Sequence, residues 1–520
     1  MLVQLLWPYG GTLLAALIIW HFLRRKQASS GLPLPPGPKP KFLIGNILDM
    51  PTVKPWLTYR EWSQKYGDVV FLDLPAQPTI LVGSAKVVFD LLEKRSEIYS
   101  DRRMPIMLEM MSWAFNFAFM GYGPVWRAHR RSFHEYFNPN IVHKYHDVQL
   151  DEARAFLHRL LVDPENGRQH IRQMVIATIV RIVYGMKIKD LHDDYIRLAH
   201  KGVEGLVLAV VPGAYWVEYL PMLRHIPSWV PGTSGRKLAE AYRPIVEDMR
   251  NQPFENVQAA LAKGEAVPCV TASMIREIQD ENLDAAALEE RIELAKNVTA
   301  LAYSGAADTT TCAAEVFMLA MGMYPDVQKK AQDELDRVVG PHRLPEFSDL
   351  ESLVYIRAVA METMRWSPVN PFSVPHTLMA EDEYNGYRMP KGSTILVNAW
   401  SILHNTEDYP DPSTFNPDRF IKDGKINPDV RDPTTITFGF GRRICPGRFL
   451  SNASLAIYIA STLHVFNIAP GFDKAGYRVR LTTEVNTGLV ASPVALPREF
   501  TPRSPAAVRL IQQARSEIDR

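Results

Sequence analysis

Apolar positions fall along this chain in three kinds of run. The first is unbroken: residues 2–23, LVQLLWPYGGTLLAALIIWHFL, hold no Lys, Arg, Asp or Glu. A helix of about 20 apolar residues spans a hydrocarbon core of roughly 30 Å, and membrane helices tolerate residues such as Pro8, Gly10 and Gly11. Arg24-Arg25-Lys26 follows with nothing basic ahead of it, which places the remainder on the cytosolic side. A cleaved secretory signal would carry its charges before the apolar run and a small-residue cleavage site after it. Residues 1–26 therefore read as a membrane anchor. Residues 27–40, with Pro33, Pro35, Pro36 and Pro38, read as a semi-rigid polyproline linker.

The second kind of run alternates. GDVVFLDL (67–74) and QPTILVG (77–83) predict an early hairpin. Short strands return at about 374–378, 383–389 and 393–398, with Gly386 and Pro390-Lys391-Gly392 as turn signals. The third kind is helical and dominates from about 140 to 365. Its longest member runs from Leu288 to Met321, about 50 Å at 1.5 Å per residue, and ends at Tyr324-Pro325. A last apolar helix is predicted over 447–466. No internal repeat or dividing linker appears, so the expected fold is mainly α with small β-sheets, an α+β body over 41–505, followed by a tail over 506–520.

Composition narrows the class. The chain has 520 residues, 47% hydrophobic and 22% charged, which excludes disorder. Lys+Arg number 58 against 57 Asp+Glu, so the net charge of +1 offers no basic face for nucleic acid. Three cysteines (Cys269, Cys312, Cys445) build no disulfide framework and suit a reducing compartment.

One cysteine stands in a particular setting, FGFGRRICPG (438–447). Gly439 and Gly441 permit tight turns and close approach to a flat ligand. Pro446-Gly447 opens a helix whose amides and dipole point back at the Cys445 sulfur, favouring the thiolate that binds iron. Arg443 is placed to meet an anionic group of the same ligand. Elsewhere, METMRW (361–366) sets Glu362 and Arg365 on one helical face, and WRAHR (126–130) does so for Trp126 and Arg130. SGAADTTT (304–311) puts mediocre helix formers inside the longest helix, a penalty that points to function.

With Phe438, Gly441, Arg443, Cys445 and Gly447 in place, the motif resembles the haem-binding signature of the cytochrome P-450 haem-thiolate monooxygenases, and the resemblance covers nearly the whole chain. It implies haem b with Cys445 as axial thiolate, a ligand that favours O–O cleavage. It makes Glu362, Arg365 and Arg419 of FNPDRF (415–420) a structural network. Trp126, Arg130, Arg443 and His376 of VPHTL become partners of the haem propionates, and Asp308 and Thr309 an acid–threonine pair relaying protons to dioxygen. Ala306 stands where glycine is commonest in the family. Cys312 reads as core packing, and Cys269 carries no assignment.

The Met- and aromatic-rich stretch 104–120 corresponds to the roof of the pocket, and 205–232 to its access region. Met107, Trp113, Phe117, Tyr303, Ala306, Phe372, Val374 and Leu489 are the expected substrate-lining residues. No flavin or nicotinamide fingerprint appears, so electrons from NADPH imply a partner reductase, with cytochrome b5 as a further partner. The expected protein is a single-pass enzyme of the endoplasmic reticulum membrane, facing the cytosol. It would oxidise a bulky apolar molecule, a terpenoid or polyketide-like scaffold of fungal secondary metabolism. Two other readings are a peroxide-driven peroxygenase or haem-thiolate isomerase, which Asp308-Thr309 disfavours, and a silent apolar-ligand binder, which the Cys445 motif disfavours.

Overall fold

The tetrapeptide TILV occurs twice, at Thr79–Val82 and Thr394–Val397, and the two copies lie side by side in the computed structural model. The structure describes residues 31–518 apart from 76, 191, 211–213, 219, 231 and 474. The proposed anchor, 1–26, lies outside the described residues, among which no helix is long and apolar enough to cross a membrane. The chain divides into two units, Met1–Asp101 with Val374–Asn398, and Arg102–Ser373 with Ala399–Arg520.

In the first unit, β1 (Val69–Leu72) and β2 (Thr79–Val82) form the expected antiparallel hairpin. Strands β3 (His376–Thr377) and β6 (Thr394–Val397) complete a sheet of order β1-β2-β6-β3. β2 and β6 run parallel, Thr79 opposite Thr394 and Val82 opposite Val397. Every residue of β2 is buried, as a parallel strand covered on both faces requires. The run expected as one strand over 383–389 is instead a small hairpin of β4 (Asp382–Tyr384) and β5 (Tyr387–Met389). Asn385 and Gly386 take φ of 53° and 77° between them, the signature of a tight hairpin turn. Helix α1 (Pro55–Tyr66) precedes β1.

The proline-rich stretch is extended but not detached. The Pro36 carbonyl accepts the Phe71 amide at 2.9 Å, the Pro33 carbonyl that of Arg388 at 2.8 Å, and Pro38 the Asn46 side chain at 3.1 Å. Gly37 lies so near the Phe71 carbonyl that a Cβ would come within 2.0 Å of its oxygen. Only glycine allows that approach.

The second unit is helical. Its longer helices are α2 (Pro124–Phe137), α3 (His146–Val162), α4 (Gly167–Tyr184), α5 (Asp194–Ala209), α6 (Ser234–Ala262), α7 (Val270–Asp280), α8 (Ala285–Met323), α9 (Pro325–Val338), α10 (Val354–Trp366), α11 (Arg448–Val465) and α12 (Pro505–Ile518). Small pairs β7–β8 (Ile421–Lys422, Lys425–Ile426) and β9–β10 (Phe466–Ala469, Glu499–Pro502) lie beside them. The 39-residue α8 starts where Asp284 accepts the Ala287 amide at 2.8 Å and ends before Tyr324-Pro325. Its carboxyl half, Cys312–Met321, joins α3, α4, α10 and α11 in one core. Cys312 is packed there, its Sγ 3.5 Å from the Ala491 carbonyl. The segment set apart as a tail is largely α12, which buries Ala507, Ile511 and Ala514 in the same core. Ile511 alone contributes about 2 kcal/mol of apolar burial.

Candidate active site

Between Phe438 and α11 the backbone folds into a small loop. Gly439 and Gly441 adopt φ of 75° and 52°, and the Cys445 amide closes the loop on the Phe438 carbonyl at 2.7 Å. Arg448 Nη1 donates to the Cys445 carbonyl at 3.0 Å. Burial pushes the Cys445 thiol up, while the Gly447 and Arg448 amides and the Arg130 and Arg448 guanidiniums pull it down. Burial prevails. The thiolate expected from the helix start is therefore not supplied by the loop alone; a coordinated metal ion deprotonates such a thiol outright.

Around this loop the second unit gathers positive charge. Arg443, almost fully buried, donates to the carbonyls of Met120 at 2.7 Å and Phe117 at 3.3 Å. Its guanidinium lies 4.3 Å from the Trp126 ring, a cation–π contact. Trp126 in turn packs on Tyr122, centroids 5.2 Å apart. Burial holds Arg130 down at about 10, relieved in part by the Cys445 charge. Arg102, which donates to the Ala118 carbonyl, is held far below its usual range by burial and by the charges of Arg443 and Arg130. Arg102 was not foreseen. Its only sequence signal is a basic pair, Arg102-Arg103, directly before the apolar roof.

These residues fit a buried anion. The Trp126 Nε1–H is buried without an acceptor among the described residues, and Arg130 makes no hydrogen bond or ion pair there. Three guanidiniums that depress or repel one another, beside an unsatisfied indole N–H, match the two propionates of the implied haem. His376 belongs to the first unit. It is buried on β3, with Nδ1 2.7 Å from the Tyr99 carbonyl.

The turns of α8 that flank its middle, 298–304 and 311–321, are buried, yet Gly305 is exposed and Ala306, Asp308, Thr309 and Thr310 are partly open. Thr309 Oγ1 donates to the Gly305 carbonyl at 2.9 Å, so it stays within this window. Asp308 turns elsewhere, toward Arg172 of α4 and His200 of α5, whose charges oppose the upward push that burial gives its carboxyl. The acid and the threonine thus occupy different faces.

The structure brings Glu362, Arg365 and Arg419 together. Arg365 grips Glu362 through two bonds of 2.7 and 2.8 Å, both side chains sealed from solvent. Arg419 Nε adds a third at 3.2 Å and spends its other donors on the carbonyls of Pro410, Asp411 and Thr414. Asn416 N completes the carboxylate at 2.8 Å, and Asp418 points away to Lys330. Removing one partner from such a pair costs about 3–5 kcal/mol, because the other stays buried and charged. The network ties α10 to the strandless stretch 410–419 ahead of the cysteine loop.

Among the expected lining residues, Met107, Trp113, Phe117 and Tyr303 are sealed inside the second unit, the Tyr303 hydroxyl donating to the Tyr195 carbonyl. Ala306, Phe372 and Leu489 of that unit are partly open, as is Val374 of the first. The roof carries a short helix, Ile106–Met110, fastened at both ends. Glu218 accepts the Ile106 and Met107 amides at 3.1 and 2.8 Å, and Arg243 donates twice to the Met110 carbonyl at 2.9 and 2.7 Å. Arg224–Glu109 at 3.0 Å adds an ion pair.

A family model described as Cytochrome P450 matches residues 35–475. Cytochrome P450 monooxygenase COX1 of Coprinopsis cinerea is 40% identical over 513 residues, covering 96% of this chain and 98% of its own. Cytochrome P450 monooxygenase 98 of Postia placenta is 40% identical over 501 residues, covering 95% of each. Tryptamine 4-monooxygenase of Psilocybe cyanescens is 34% identical over 497 residues, 94% of this chain and 96% of its own. The cysteine loop, the cation cluster and likeness along almost the full length agree: this chain belongs to the cytochrome P450 family, monooxygenases that carry haem b on a cysteine thiolate and take electrons from a partner reductase.

Proposed function

We propose that this chain is a membrane-anchored monooxygenase that oxidises a bulky, mostly apolar small molecule of fungal secondary metabolism, using O2 and electrons that reach it from NADPH through the reductase, with cytochrome b5 as an auxiliary donor. Residues 1–26 hold it in the endoplasmic reticulum membrane with the catalytic body in the cytosol. Cys445 would hold the haem iron, and Trp126, Arg130, Arg443 and Arg102 of the second unit would meet the propionates, a role the family pattern extends to His376. Bound there, haem supplies the activation of dioxygen. The window in α8 carries this reading: an open Gly305–Thr310 stretch inside a buried helix gives substrate and oxygen a place beside Thr309. The Thr309 hydroxyl can donate and accept, so it can hold a water and pass a proton into an apolar pocket. Asp308, whose carboxyl burial raises above its ordinary value, feeds protons from the α4–α5 side.

One relative is named tryptamine 4-monooxygenase, which ties that protein to an aromatic amine and supports a small-molecule substrate here without fixing its class. Ala306, Phe372 and Leu489 line the pocket, while Met107, Trp113, Phe117 and Tyr303 shape it from behind. The test is Thr309→Ala. Helix and haem should survive, since alanine is a good helix former, while the ratio of oxidised product to NADPH consumed falls and hydrogen peroxide rises. An unchanged ratio would remove Thr309 from proton delivery, and turnover with peroxide but not with NADPH and reductase would favour a peroxygenase.

A further inference from the structure

Between Trp126 and Arg130 stands His129, almost fully buried, and three hydrogen bonds run through it in one direction. Arg250 Nε of α6 donates to Asn297 Oδ1 of α8 at 2.9 Å. Asn297 Nδ2 meets His129 Nε2 at 3.1 Å, and His129 Nδ1 meets the Val125 carbonyl at 2.8 Å. A guanidinium only donates, so the Asn297 oxygen must face Arg250 and its NH2 must face the imidazole. His129 Nε2 then has to accept. The carbonyl at the far end only accepts, so Nδ1 carries the proton. Every polarity in the chain is set by the arginine at its head, and it admits one state: the neutral Nδ1–H tautomer.

We propose that His129 is a positioning residue for haem, and that Arg250 acts through Asn297 and this tautomer to clamp helix α2 against α8, fixing Trp126 and Arg130 on either side of it. The proposal rests on the reading of those two residues as propionate partners. Protonating His129 puts an N–H against the Asn297 NH2. Turning the amide over to accept it would set that NH2 against Arg250, so the clamp opens instead. No acid is positioned to rescue it. From α6 His129 faces Arg250, whose charge, with burial, holds the imidazole down. On α8, Glu293 is committed to Arg250 and to Lys296. From the roof comes only the Phe117 ring, 6.1 Å away, and on α2 itself Arg130. Burial, with the Arg250 charge, lowers the folded value of His129 below its ordinary 6.5, so its contacts still hold at 6.5 and are lost as pH falls through that lowered value.

The experiment follows transfer of haem from the full-length holoprotein to an excess of apomyoglobin between pH 5 and 8. In the wild type the loss rate should rise roughly three- to tenfold below pH 6.5, the effect of one hydrogen bond. His129→Leu should lose haem faster at every pH and without that step. Asn297→Asp should remove or invert the step, since a carboxylate accepts from Arg250 and from a doubly protonated His129 alike. An acid step unchanged in either variant overturns the proposal. Should the variants fold poorly, the wild type labelled with 15N-histidine decides it: the imidazole identified as His129 by its contact with the Phe117 ring must carry its proton on Nδ1 at pH 7.5, and a proton on Nε2 there overturns the clamp. If the tautomer holds while Arg130→Gln leaves haem loss untouched, the propionate assignment fails and the clamp stands.

Discussion

Arg130 is charged, mostly buried and, among the described residues, without a hydrogen bond, which makes it a liability to the protein until an anion arrives. That asymmetry is measurable. Arg130→Gln should raise or leave unchanged the melting temperature of the haem-free protein, because an uncompensated charge is gone. The same change should weaken haem retention about 10- to 100-fold, the worth of a lost charge-assisted bond. Equal destabilisation of both forms would mean that Arg130 braces the fold instead. At this scale the sequence was legible wherever the chemistry is local: Cys445, its glycines and the Glu362–Arg365 pair all sit within a few positions of one another. Arg102, Asn297 and Glu218 were not legible. His129 and Asn297 are 168 positions apart, and Glu218 meets Met107 across 111, so no spacing announces either contact.

Helix α8 shows what a single element can hold in conflict. About one and a half turns beyond its open window lies Glu315, almost fully buried and 3.2 Å from Arg168 Nη1 of α4, whose other nitrogen donates to the Pro493 carbonyl at 2.7 Å. Burial, with a lesser push from Asp308, raises this carboxyl to about 7 despite Arg168 and Arg172. A folded value raised above the unfolded one contributes stability that is complete below the unfolded value of 4.5 and is lost as pH rises through about 7. Melting temperature should therefore carry a downward slope from pH 5 to 7.5 that Glu315→Gln flattens. A variant as steep as the wild type would place the charge of Glu315 fully in the grip of Arg168. Elements of this length were the most legible part of the fold, α8 being expected within three residues at each end. The β4–β5 hairpin was read as one strand because three-residue strands are too short to show a period. Helix α12 is hard to tell from a tail because two of its three buried residues, Ala507 and Ala514, are small, leaving Ile511 and the partly buried Leu510 to carry the apolar signal.

For the whole molecule, the pairing of β2 with β6 joins residues more than 300 positions apart, and so the first unit is assembled from two distant stretches of chain. Local pattern gave the strands but not that return. The same unit sets where the chain can be shortened. Deleting residues 1–26 should release the protein from membranes and leave the reduced carbon-monoxide spectrum intact. Deleting through residue 40 also removes the bonds of Pro33, Pro36 and Pro38, and should cost about 1–3 kcal/mol in unfolding experiments. Equal stability of the two truncations would make the proline stretch a mere spacer. The doubly fastened roof helix has a consequence for engineering. Its two ends are finished by Glu218 and Arg243, so residues 104–120 and 216–247 form a matched set. Both grips fall on backbone groups, so a relative's roof that keeps this short helix would still be fastened, with only Arg224 losing its partner where Glu109 is replaced. A graft that shifts the helix by even one residue would instead leave Glu218 and Arg243 charged and unpaired, which makes the length of the roof, more than its composition, the property to conserve.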